Sequence, residues 1–127
     1  MNNKIAYVAI PYSHNNPKVR ELRFKIANNV AANLMNQGEV VYSAISHCHS
    51  IAVQDDLPTD WKYWEKNDRS FLECCYKLYV IKIKGWEDSK GVQAEIKIAK
   101  ELDLEIEWVE YWGQFRQEYD ALIDKEC

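Results

Sequence analysis

The chain has no C-x-x-C pair, no Walker loop, no G-x-G-x-x-G and no apolar run long enough to cross a bilayer. The first absence argues against structural zinc. The next two argue against binding of ATP or a dinucleotide by those routes, and the last argues against membrane insertion. Positive charge is also short. Lys and Arg total 16 against 20 Asp and Glu, a net charge of -4, which argues against a nonspecific binder of nucleic acid polymers. The four cysteines are Cys48, Cys74, Cys75 and Cys127. Cys74 and Cys75 are adjacent and point about 100° apart on a helix, so they do not chelate together. Reduced thiols and a cytoplasmic protein are expected. His47-Cys48-His49 has metal-binding groups but lacks a fourth ligand at suitable spacing, so neither metal nor cofactor is expected. The N-terminal MNNKIAYVAIPYS has no signal-peptide h-region and reads as a first strand.

What is present is a chain of 127 residues, 47% hydrophobic, enough for one domain with a core. Strands and helices alternate along it. Lys4–Ile10 is a short apolar strand ended by Pro11. Pro17–Gln37 is a long helix with Val19, Leu22, Ile26, Val30 and Leu34 on one face, stopped by Gly38. Glu39–Ser43 is a second strand and Ala44–Asp56 a polar loop. Leu57–Cys75 reads as a helix with Trp61, Trp64, Phe71, Leu72 and Cys75 in its apolar arc. Lys77–Lys84 is a third strand, Gly85–Lys90 a loop, Lys90–Leu102 a helix and Leu104–Val109 a fourth strand. This order predicts an α/β fold: a flavodoxin/Rossmann-like three-layer sandwich around a parallel sheet of four to five strands. Ligands of such sheets bind beyond the carboxyl ends of the strands. The domain is expected over 1–110. The remainder, 111–127, carries Trp112, Phe115, Tyr119 and Leu122 at helical spacing. It reads as an amphipathic helix that packs on the parent domain or on a second subunit.

Two carboxylates sit on the wrong faces of their helices. Glu95 falls in the arc of Val92, Ile96, Ala99 and Leu102, whereas Lys97, Lys100 and Glu101 point away. Asp68 falls in the Trp61–Trp64 arc. A carboxylate that faces a core is costly unless it is paired or does chemistry. Pairing with Arg23 or Arg69 is the structural alternative for Asp68. Burial against Trp61 and Trp64 should raise the Asp68 pKa, while the helix N-terminus should keep Glu95 ionised. Such a pair can divide acid and anion roles.

The ordered set Val8-Ala9-Ile10-Pro11-Tyr12-Ser13, Val41-Tyr42-Ser43-Ala44-Ile45-Ser46-His47, Asp68 and Ser89-Lys90-Gly91-Val92-Gln93-Ala94-Glu95 resembles the nucleoside 2-deoxyribosyltransferase superfamily. That superfamily includes the nucleoside 5′-monophosphate N-glycosidases, and the similarity runs from Ile5 to Val109. It implies cleavage of the base–sugar bond of a (deoxy)nucleoside 5′-monophosphate, with Glu95 as nucleophile and Asp68 as acid or positioning group. Ser89 matches the monophosphate hydrolases, where the transferases typically carry aspartate. Tyr76 departs from the family, which commonly has aspartate there. The resemblance implies a small-molecule nucleoside or nucleotide ligand, no added cofactor and a homodimer or larger homo-oligomer. Ser89 and Gly91, with nearby N–H groups at a helix start, would cradle a phosphate. Ser13, next to Tyr12, would add a hydroxyl and Arg23 a charge. Trp64 and Trp86 would stack on the base and His47 would touch its edge. Gly91 also reads as the glycine a tight helix entry needs. The alternatives are base transfer to a second base, a silent nucleotide-binding protein, or a flavodoxin-like interaction domain.

Overall fold

The computed structural model describes residues 4–126. Cys127 lies outside them. Four strands form one parallel sheet: β1 (Ala6–Ala9), β2 (Val41–Ser43), β3 (Lys77–Ile81) and β4 (Glu105–Val109). Their order is β2-β1-β3-β4, so the chain reverses its direction of travel across the sheet between β1 and β3. Five helices complete the molecule: α1 (Pro17–Asn36), α2 (Ala44–Gln54), α3 (Trp61–Leu72), α4 (Lys90–Glu101) and α5 (Arg116–Glu126). This is the α/β three-layer sandwich expected from the alternation of elements.

The layers follow from the pleat of β1. Successive strand side chains face opposite ways. Ala6 and Val8 pack with Val19, Leu22 and Ile26 of α1 and with Tyr119 of α5. Tyr7 and Ala9 pack with Leu72 of α3 and with Val92, Ile96 and Ala99 of α4. α5 therefore lies on the parent domain. Of the expected tail stripe, Phe115, Tyr119 and Leu122 join that core, but Trp112 is 74% exposed and stacks under the Arg116 guanidinium.

Local chemistry sets the helix ends. Asn16 accepts from Lys18 N–H at 2.9 Å and Pro17 opens α1. Gly38, at φ 91°, ends that helix in the left-handed region. Ser89 caps α4 by accepting from Val92 N–H at 3.2 Å.

Two sequence expectations change. Ala44–Gln54 is helix α2, not a loop. Its buried Ala44, Cys48 and Ala52 recur every four residues, but the polar run between them masks the period. Helix α3 is also shorter than Leu57–Cys75: Leu57–Asp60 is non-helical and the helix stops at Leu72. Phe71 stacks on Tyr42 with centroids 4.0 Å apart rather than entering the core.

Candidate active site

A cavity of about 310 Å³ opens at the carboxyl end of the sheet, beside the β1–β3 reversal. The segment after β1 lines it with Ile10, Tyr12 and Ser13. The start of α4 lines it with Asp88, Ser89, Lys90 and Gly91, and α2 with Ile45 and Cys48. The α3 side gives Thr59, Asp60, Trp61 and Trp64. Both misplaced carboxylates, Asp68 and Glu95, line this one cavity. Their exposures are only 6% and 5%.

Glu95 is held from the sheet. The Tyr7 hydroxyl donates to Glu95 Oε2. Tyr7 is fully buried, on the same face of β1 as Ala9, so its phenol reaches under α4. Burial raises the Glu95 pKa well above the carboxylate range. The Tyr7 hydrogen bond opposes the rise and the nearby Asp68 charge adds to it. Burial also pushes Asp68 up, to about 6, against the pull of the Asn67 amide and the His47 imidazole. Both pKa values rise, and Glu95 is not kept in the ordinary range by its helix. It is buried, and Tyr7 is the one side chain donating to it among the described residues. The buried Tyr7 phenol, in turn, is raised well above its usual value by burial and then by Glu95.

Among the described residues Asp68 forms no salt bridge. Arg69 pairs with Glu73 and Glu101. Arg23 is 4% exposed and turned to the opposite side of the sheet, where Nε donates to Tyr119 at 3.0 Å and Nη1 to the Ser13 carbonyl at 2.9 Å. The only side chain donating to Asp68 among the described residues is Asn67, at 3.2 Å.

The other candidates divide. Tyr12, Ser13, Trp64, Ser89 and Gly91 lie on the cavity wall. Arg23, His47 and Trp86 do not. Arg23 is committed to the Tyr119 hydroxyl and the Ser13 carbonyl. His47 is exposed beside Tyr42 and Phe71. Trp86 packs on Trp108, with centroids 5.8 Å apart. The Ser13 hydroxyl already donates to the Thr59 carbonyl. Gly91 is not required by its backbone: its φ is not positive, and an added Cβ would meet Trp61 at an ordinary 3.6 Å. No cluster of three or more metal-ligating groups occurs among the described residues.

Tyr7, Ile45, Cys48, Thr59, Asp60, Asp88 and Lys90 are site residues that the sequence reading did not single out. Tyr7 had a usable signal. A tyrosine inside a strand buried on both faces must find a partner for its hydroxyl.

The sequence model of the DUF1937 family, a domain of unknown function, matches residues 4–110, and the chain belongs to that family. The match covers the whole sheet and the cavity, and α5 follows it. No curated protein matches the chain. Among the described residues, no helix is long and apolar enough to cross a membrane.

Proposed function

We propose that the protein cleaves the N-glycosidic bond of a nucleoside or nucleotide, with Glu95 as nucleophile and Asp68 as the proton-handling group. The observation that carries this reading is two buried carboxylates on one cavity, with no ion pair to either among the described residues and one of them oriented by a buried tyrosine. Breaking the bond builds positive charge at C1′, and a fixed anion in a dry site stabilises it. A Glu95 oxygen bonds to C1′ as the C1′–N bond breaks. The base leaves with the electron pair and takes the Asp68 proton. Water then attacks C1′, Asp68 takes the water proton, and the Glu95 ester bond breaks. Tyr7 holds the carboxylate in line throughout. The resemblance to the deoxyribosyltransferase superfamily supports the same assignment, and the reading goes with a cytoplasmic enzyme for a small molecule. In the transferase alternative a second base replaces water in the last step.

Charge bears on the sugar's far end. The cavity carries Asp60 and Asp88 with a single cation, Lys90. Arg23 is elsewhere and the Ser13 hydroxyl is in use. A free 5′-hydroxyl therefore fits this wall better than a phosphate dianion. That favours the free nucleoside, although Ser89 belongs to the monophosphate-hydrolase pattern. The test is base release, measured by chromatography, from paired nucleosides and 5′-monophosphates. Release that disappears in Glu95→Ala supports the reading, and higher kcat/KM for the nucleosides supports the charge argument. Absence of release from every pair refutes it.

A further inference from the structure

One buried imidazole takes no part in the chemistry above. His49, on α2, is 4% exposed. Its Nε2 stands 2.7 Å from Glu21 Oε2 on α1, and its Nδ1 stands 2.6 Å from the Tyr12 hydroxyl. The ring stacks on Phe24 with centroids 4.4 Å apart and meets the Tyr12 ring edge-on. Both nitrogens are engaged, so the His47-Cys48-His49 run does not offer this imidazole to a metal.

The chain of bonds has a direction. An ionised carboxylate only accepts, so Nε2 carries the proton that goes to Glu21. In the neutral ring Nδ1 then accepts, and the Tyr12 hydroxyl donates to it. The one proton of Tyr12 is thereby committed. What Tyr12 offers to a ligand is its aromatic ring, on a cavity wall that also holds Ile45 and Trp64. Such a surface suits a flat heteroaromatic group, and it binds best when its rings are already in place.

We infer that His49 is a positioning residue that fixes Tyr12 as an aromatic wall for the planar base, with Glu21 fixing His49. This rests on the nucleoside reading above. The three residues come from α1, α2 and the segment after β1, so the bonds also set where α2 sits against the cavity. Simple packing does not need this arrangement. A phenylalanine at 49 would stack on Phe24 equally well and would bury no polar atoms.

The test uses Tyr12→Phe, His49→Phe and their double variant, with kcat and KM measured on a nucleoside that the wild type cleaves. Each single variant should raise KM about fivefold to tenfold while kcat stays within about twofold. The double variant should be no worse than either single one, because both remove the same bond. Glu21→Gln, which keeps an acceptor oxygen, should recover most of what Glu21→Ala loses. Single-variant effects that multiply in the double variant, or melting temperatures that fall with KM unmoved, overturn the proposal. A second readout needs no substrate. The ¹⁵N shift of His49 Nδ1 should report an accepted hydrogen bond in wild type and lose it in Tyr12→Phe. An unmoved shift overturns the bond chain even if base is released. A moved shift in a protein that releases no base leaves the chain standing and sinks the nucleoside reading instead.

Discussion

Glu95, Asp68 and Tyr7 form a coupled acid system, and its titration belongs to the set rather than to one residue. The pair of carboxylates loses its protons in two steps, both above the ordinary carboxylate range, with Asp68 raised to about 6. The proposed chemistry needs the singly protonated form whose proton is on Asp68, with Glu95 anionic and accepting from Tyr7. A bell-shaped kcat/KM profile follows, with its acid limb near pH 6 rather than near 4. Tyr7→Phe removes the group that lowers the Glu95 pKa, so it should shift the profile toward higher pH and cut kcat by about 10–100-fold. Stability carries the same signature. Both folded-state values exceed the unfolded ones, so the native state binds more protons as pH rises from about 4, and stability falls through that window. Asp68→Asn should therefore be more stable than wild type above pH 6, by roughly 2–3 kcal/mol for a shift of this size. The difference should close below pH 4. Thermal melts across pH check both the sign and the window. Both carboxylates were legible in the sequence, because 100° spacing puts them on apolar arcs. Their relative acidity was not. It depends on Tyr7 and on depth, and neither is a property of one helix.

The helices differ in how openly the sequence displays them. α1 and α4 each show an apolar stripe, and α1 also shows its stop at Gly38. α2 hides its stripe behind Ser46, His47 and His49, and only the tertiary partners Glu21, Phe24 and Tyr12 explain a histidine on its buried side. α5 is legible as an amphipathic helix, but not in its use. Its Tyr119 accepts from Arg23 and donates to the Lys84 carbonyl at 2.6 Å. Arg23 in turn holds the Ser13 carbonyl and lies so close to Gly85 that an added Cβ would stand 2.8 Å from its Nη2. One buried tyrosine thus ties α5 to the segments after β1 and β3, which lead into the cavity wall. Tyr119→Phe should lower stability by about 1–2 kcal/mol, since it leaves a buried guanidinium short of an acceptor. Gly85→Ala should cost at least as much, because φ is +97° and the space is filled. Denaturant melts of the two variants test this.

At the level of the whole molecule, the alternation of strands and helices predicts a parallel sheet, but not the order β2-β1-β3-β4. That order is what brings the ends of β1 and β3 together and opens the cavity between their loops. Asp68 and Glu95 are 27 positions apart in the sequence, and they meet because α3 and α4 cover the same face of this sheet. A ligand that binds there stabilises the fold by mass action, about 2.7 kcal/mol at a hundredfold excess over Kd. Glu95→Gln, which retains the shape of the site, should show that gain with an intact nucleoside.

The most direct test is intact-mass spectrometry of the protein quenched in acid during incubation with a nucleoside, followed by peptide mapping. Glu95 as nucleophile requires a transient mass increase of one sugar residue, confined to the peptide that contains Glu95 and absent from Glu95→Ala. Base release at an undiminished rate in Glu95→Ala, or a sugar adduct on another residue, would contradict it.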